Sequence, residues 1–222
     1  MKVREQLEEV TETEKYISQE QFLAICQQNG VEDESSQLVL LKLLNDLGAV
    51  LFFEQIKLAG IYVLDPHWVT VGVYKIINSS HTKDGILREE DLNVILNKEK
   101  IRCDEYDPAK EKDFTYNTTE QAYLVRIMEE FELCYPYSNL GNSEHLHILP
   151  NQLPKEPEEV IELQGEDLLG FMLEYDFLPS ALFSRLMVRM KDDIPTRQRQ
   201  WRYGMFLDNK EFAVKATITT QE

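Results

Sequence analysis

Residues 40–68 read LLKLLNDLGAVLFFEQIKLAGIYVLDPHW. Leu40, Leu43, Leu44 and Leu47 recur at i, i+3, i+4 and i+7, one face of a helix, and Gly48 ends it. Residues 50–53 and 61–64 are short apolar, aromatic-rich runs with Gly60 in the loop between them. That pattern predicts a β-hairpin with a longer connection. Pro66 has no N–H to give to a sheet ladder and closes the second strand.

The pattern recurs 84 residues later, where Leu124, Ile127, Met128 and Phe131 replace Leu40, Leu43, Leu44 and Leu47. The same shift carries Val50 and Leu51 onto Cys134 and Tyr135, Tyr62 onto Leu146, Leu64 onto Ile148 and Pro66 onto Pro150. From the last apolar helix position to the proline, 66 − 47 and 150 − 131 both give 19 residues. A helix face, two strands and a proline kept in register predict two tandem units, each of helices followed by a two-stranded wing. This is the winged-helix arrangement, a relative of the helix-turn-helix.

Working outward, residues 1–15 alternate acid, base and polar side chains and are expected to be a linker from an upstream domain. Ser18 and Gln21 form a capping box, with Ile17 stapled to Phe22. Asn29-Gly30 ends that helix, and Asp33 caps the next. Asp65-Pro66-His67 ends a strand and caps a third helix through Ile77, with Trp68, Val71, Val73 and Tyr74 on its apolar faces. Residues 97–113 are highly charged and read as an exposed insertion. Thr118 and Gln121 suggest a second capping box. The first subdomain is set at 16–153, with units at 16–80 and 85–153.

Pro150, Pro154 and Pro157, among Lys155, Glu156, Glu158 and Glu159, make a stiff polar connector. Beyond it, at 160–222, Phe171, Leu173, Tyr175 and Phe177 alternate as a strand, and Pro179 opens a helix buried through Phe183, Leu186, Met187 and Met190. Trp201, Tyr203, Met205 and Leu207 alternate again, as do Phe212, Val214, Ala216 and Ile218, with a turn at Asp208-Asn209. The fold class is therefore α+β: tandem winged-helix-like units, then the start of a mixed β-α-β-β domain. One helix on three strands is thin for a domain, so the chain is expected to be a piece of a longer protein.

The 222 residues carry a formal net charge of −17, with three scattered cysteines, Cys26, Cys103 and Cys134. No CxxC or even disulfide framework appears, and the N-terminus is too polar for a signal peptide, so a cytoplasmic location is expected. Residues 1–159 hold 15 Lys and Arg against 30 Asp and Glu, a net of −15. That field repels nucleic acid, and each helix preceding a wing carries one base against several acids, whereas phosphate contacts need Lys and Arg.

No P-loop, GxGxxG, HExxH or GxSxG motif is present. His145 and His147 share a strand face as half of a metal site, but without a spaced Cys pair they read as polar rim positions. Cys134 reads as a small core residue. Arg185 and Arg189 lie four apart on one helix face, followed by Lys191, Arg197, Arg199 and Arg202. They are either neutralised by Asp192, Asp193, Asp176 and Glu174 or form an interface with an acidic partner.

The runs LNDLGAVLFF, IYVLDPHWV, LVRIMEEFELCYP, HLHILPNQLP, LPSALFSRLMVR and WRYGMFL, in that order, resemble the COR (C-terminal of Roc) domain of Roco proteins, expected here to be prokaryotic. The resemblance implies a non-catalytic regulatory and dimerisation module. It would pack in cis on the Ras-like GTPase (Roc) domain and against a second copy of the chain, and couple nucleotide state to dimer state. No cofactor is expected in this stretch, since GTP or GDP and Mg belong to the GTPase domain; nor is nucleic acid or a membrane span. The resemblance makes Trp68, His145, Leu146 and His147 candidates for the GTPase interface. Leu146 stands where the family often has an aromatic. Phe183, Arg185, Arg189, Trp201 and Arg202 are candidates for the second-subdomain interface. The competing reading is an acidic winged-helix adaptor or DNA-binding regulator.

Overall fold

The computed structural model describes residues 2–53, 60–99, 114–137, 145–158 and 169–220. The first unit comprises α1 (Lys2–Thr11), β1 (Tyr16–Ser18), α2 (Gln19–Gln28), α3 (Glu34–Asp46) and β2 (Ile61–Val63). β1 runs antiparallel to β2 with Ile17 opposite Tyr62, and Leu51 bridges Val63 on the other side of β2. The second unit comprises α4 (Pro66–Asn78), β3 (Ile86–Arg88), α5 (Leu92–Asn97), α6 (Thr118–Glu130), β4 (Tyr135–Tyr137) and β5 (Leu146–Ile148). Here too the last strand is central, since β5 lies between β3 and β4.

Local chemistry repeats with the topology. Asp33 caps α3 by accepting from Ser36 N–H, and Asn117, 84 residues on, caps α6 by accepting from Glu120 N–H. The second capping box is thus Asn117 with Glu120, one residue before the expected Thr118 and Gln121, which leaves Gln121 free to enter the core. There its amide donates to the Tyr116 carbonyl at 2.9 Å, as Gln37 does to Val31 at 2.8 Å. Both helices end on a left-handed residue, Gly48 (φ 69°) and Glu132 (φ 58°), followed by equivalent bonds from Ala49 N–H to Leu44 and from Leu133 N–H to Met128. This backbone closure satisfies the last helix carbonyls.

The wings keep a different offset. Leu51 pairs with Val63, and Tyr135 with Ile148, so β2 maps onto β5 by 85 residues and Tyr62 corresponds to His147 rather than Leu146. The first unit recovers the residue after the strand, where Leu64 and Asp65 both donate to the Lys15 carbonyl. The equal 19-residue spacings therefore contain two compensating differences.

Burial shows why the strands lack a simple in–out pattern. Ile17, Val50, Tyr62 and Leu64 join Val3, Leu7, Phe22, Ile25, Leu41 and Leu44 in a first core. Tyr16, Leu51, Phe53, Ile61 and Val63 face the other way, into a second core with Trp68, Tyr123, Leu124, Ile127 and Met128. The second sheet is shared likewise. Leu87, Cys134 and Leu149 belong to the second core, whereas Ile86, Tyr135 and Ile148 join a third with Phe183, Met187, Met205 and Leu207. The order is core, sheet, core, sheet, core. Strands buried on both faces read as continuous apolar runs.

Three expectations change. Residues 2–11 form α1, whose Val3 and Leu7 are buried in the first core with Val10 packed against it; apolar side chains three and four apart dock a helix that is otherwise polar. Residues 171–177 form no strand among the described residues, and Phe171, Leu173, Tyr175 and Phe177 are exposed. Alternation alone does not make a strand, which needs a neighbour for its ladder bonds and a cover for its apolar face. Third, 201–207 is two strands. α7 (Ser180–Arg189) leads to β6 (Gln200–Trp201), a tight turn at Arg202 and Tyr203, β7 (Gly204–Asn209) and β8 (Val214–Thr219). Asp208 and Asn209 lie inside β7, and Ala213 (φ 51°) is in the following turn. Most of the expected insertion, 100–113, lies outside the described residues.

Candidate docking surfaces

α7 carries Phe183 and Met187 on one face, buried against Ile86, Tyr135, Ile148 and Leu153 from the second unit. Charge seals the edge of this seam. Arg185 Nε and Arg189 Nε each bind one oxygen of Glu132, the latter at 2.7 Å. The acidic partner of these arginines is thus Glu132 in the second unit of the same chain and not Asp192 or Asp193. The bonds from Arg189 and Arg185 hold the Glu132 carboxyl below the ordinary carboxylate range, and the same contact raises Arg189. Glu132 also explains why a residue other than glycine occupies the left-handed cap of α6.

Further bonds cross the seam. Tyr135 Oη donates to Gln200 Oε1, and burial pushes the phenol up. Arg197 N–H donates to Tyr137 Oη at 3.1 Å, and Arg202 donates through Nε to the Leu153 carbonyl (3.1 Å) and through its backbone to Pro154 (2.8 Å). Trp201 is buried, and its ring covers Gly204, where an added Cβ would lie 2.0 Å from ring carbon. Of the second-subdomain candidates, Phe183 and Trp201 are therefore buried packing residues, Arg185 and Arg189 bind Glu132 of the second unit, and Arg202 binds Leu153 and Pro154 of the same chain.

Trp68 is fully buried, stacked between Tyr116 and Tyr123 with Tyr16 alongside, which leaves it no surface for a partner. Leu146 is half-buried at the third core, and His145 is exposed. His147 is buried on the other face of β5, its Nε2 2.9 Å from Glu129 Oε1, while Arg126 donates to Glu129 Oε2 at 2.8 Å. Burial pushes the Glu129 carboxyl up, but the bonds from His147 and Arg126 outweigh it and hold it below its ordinary value. Cys134 is a core residue whose thiol is pushed up by burial. Among the described residues no group of three or more His, Cys, Asp or Glu is placed to hold a metal ion.

The apolar face expected at Leu40, Leu43, Leu44 and Leu47 is only partly interior, since Leu44 and its neighbour Leu41 are buried while Leu43 and Leu47 lie on an exposed surface of α3. Leu38, Val39, Leu43 and Leu47 are exposed, and a shallow depression of about 400 Å³ is lined by Val31, Ser35, Ser36, Val39, Leu40 and Leu43. The signal was present, since the helix is apolar on more than the one face its core requires.

Among the described residues, doubly buried sheets alternate with helical layers, and carboxylate–guanidinium contacts tie the last helix to the second unit. The profile described as C-terminal of Roc, COR-A domain matches residues 1–153, and that described as C-terminal of Roc, COR-B domain matches residues 166–222. The chain belongs to this COR family, which stands beside the Roc GTPase domain of Roco proteins. It is 27% identical over 216 residues to the probable serine/threonine-protein kinase qkgA of Dictyostelium discoideum, covering 88% of this chain and 12% of that protein. It is 27% identical over 225 residues to a Roc-COR-CHAT protease of Runella zeae, covering 98% and 21%. It also resembles the structure of Methanosarcina barkeri Roco2 RocCORdC bound to GDP, at 36% identity and TM-score 0.55 over 68% of this chain and 42% of that one. The chain thus spans a small part of these curated relatives. No helix among the described residues is long and apolar enough to cross a membrane.

Proposed function

We propose that this chain is the non-catalytic regulatory and dimerisation module of a cytoplasmic Roco protein. It packs on the adjacent Roc domain, which holds GTP or GDP and Mg, and couples nucleotide state to dimer state. The two repeated units are winged-helix-like, with 16–153 forming the first subdomain together with α1, and 160–222 opening the second. His145 and Leu146, at the exposed end of the central strand of the second sheet, are the positions best set to sense the GTPase domain. The observation that carries this reading is the seam itself. Any push on the second sheet reaches α7 through Tyr135, Ile148 and the Glu132 pair, because one apolar layer serves both halves. Packed layers pass on displacement and do not absorb it. The acidic charge works against the DNA-binding alternative.

The test is sedimentation of the longer protein, with its GTPase domain, loaded with GDP or a non-hydrolysable GTP analogue. A nucleotide-dependent change in the dimer fraction that is lost in Arg185→Ala/Arg189→Ala is expected. An unchanged dimer fraction, or GTP bound by these 222 residues alone, overturns the proposal.

A further inference from the structure

The two units differ in what lies on the outer face of their long helix. On α6, Glu120, Tyr123 and Ile127 are covered by the sheet of the preceding unit, whereas Phe131 at the end of the stripe stays half exposed. Tyr123 and Ile127, each 2% exposed, share a core with Ile61 and Val63, and the Phe131 ring meets Phe53 edge-on at 5.4 Å. At the N-terminal end Lys15 lies 3.5 Å from Glu120 and donates to the Thr115 carbonyl at 2.9 Å. The counterparts on α3 are Ser36, Val39, Leu43 and Leu47. There Val39 is 67% exposed and Leu43 51%. The two helices also share a side-chain N-cap, a buried glutamine and a left-handed exit, although the reciprocal capping box of α6 is absent from α3, where Ser36 replaces Glu120. Val39 and Leu43 therefore keep the apolar character of the stripe where no described residue covers it.

We infer that the outer face of α3, with the depression bounded by Val31 and Leu40, docks the face of a small antiparallel β-sheet from a partner, apolar and aromatic at its centre and carrying a cation at one end. The sheet chemistry follows from the occupied copy, where β1, β2 and the Leu51–Phe53 segment do this for α6. The cation follows from charge. Glu32, Asp33 and Glu34 cluster at the N-terminal end of α3, where Lys15 stands on α6. Neither sheet of the first two units offers this face to a second copy, because both are buried on both sides. This inference is independent of the packing proposed for the GTPase domain.

The test uses the whole 222-residue chain, isotope-labelled, and a cyclic hairpin peptide that joins Lys15–Ser18 to Ile61–Leu64 in their native antiparallel register. Saturable amide shifts centred on Ser36, Val39, Leu43 and Leu47 are expected, together with about fivefold weaker binding of the peptide carrying Lys15→Glu. Val39→Glu and Leu43→Lys, both at exposed positions, should keep the thermal midpoint and abolish the shifts. Absence of shifts at millimolar peptide, or shifts that persist in both variants, overturns the inference. So does tighter binding of a basic amphipathic helix of equal length at the same face.

Discussion

The middle unit and the first unit have the same topology but different loads. The middle unit has neighbours on both sides: the first sheet rests on the outer face of α6, and α7 rests on the second sheet. Among the described residues the first unit has one, and its long helix leaves Val39 and Leu43 exposed. The contrast shows that in such an array a residue's importance follows from its layer more than from its type. Equivalent helix positions, 84 residues apart, are core in one copy and surface in the other.

The largest expected effect breaks the comparison at its centre. Trp68→Ala removes a fully buried indole from the middle core and should cost about 3–5 kcal/mol in urea unfolding. Phe22→Ala in the first core removes a side chain of the same class, but hydrogen exchange should show the second sheet and α7 still protected, whereas Trp68→Ala exposes all three cores. Equal spread of the two defects would refute the layered picture. Next in size is Gly204→Ala, whose methyl would enter the Trp201 ring. Forced repacking of this kind costs about 1–3 kcal/mol. Thermal unfolding followed by tryptophan fluorescence reads it directly.

The helix caps sharpen the contrast at smaller scale. Gly48 has open space around it, so Gly48→Ala should cost only the left-handed backbone penalty, about 1–2 kcal/mol. Glu132→Gly relieves that same penalty in the middle unit but releases Arg185 and Arg189. Its net change should stay within about 1 kcal/mol, while exchange at α7 accelerates. A clear gain in stability with α7 still protected would show that the ion pairs are idle.

The smallest effect concerns pH. Glu129 and Glu132 have folded values below their unfolded ones. Their stabilisation is therefore complete above the ordinary carboxylate range and is lost as pH falls through the depressed values. Acid titration of stability should be shallower in Glu132→Gln than in the parent chain, and parallel curves would count against the seam contact.

The repeat was legible in the residues because helix spacing, caps and terminal prolines are local features. So were the capping box of Ser18 and the cap at Asp65. The one-residue slip between wings was not, because a strand's offset is set by which carbonyl it meets, here that of Lys15. Adjacent carboxylates such as Glu129 and Glu130 carry no local sign of burial, and only packing brings Glu129 to His147. Likewise Trp68, quoted from a family-like motif, was legible as apolar but not as interior.

By itself the sequence determined two tandem helix-and-hairpin units, an acidic first part and the absence of the common nucleotide-binding motifs, because these depend on residues near one another along the chain. Only the tertiary structure decided that each sheet is shared by two cores, that Glu132 gathers Arg185 and Arg189, and that α3 keeps an uncovered apolar face. Those outcomes depend on which surfaces meet, and burial in one layer is created by the layer that lands on it.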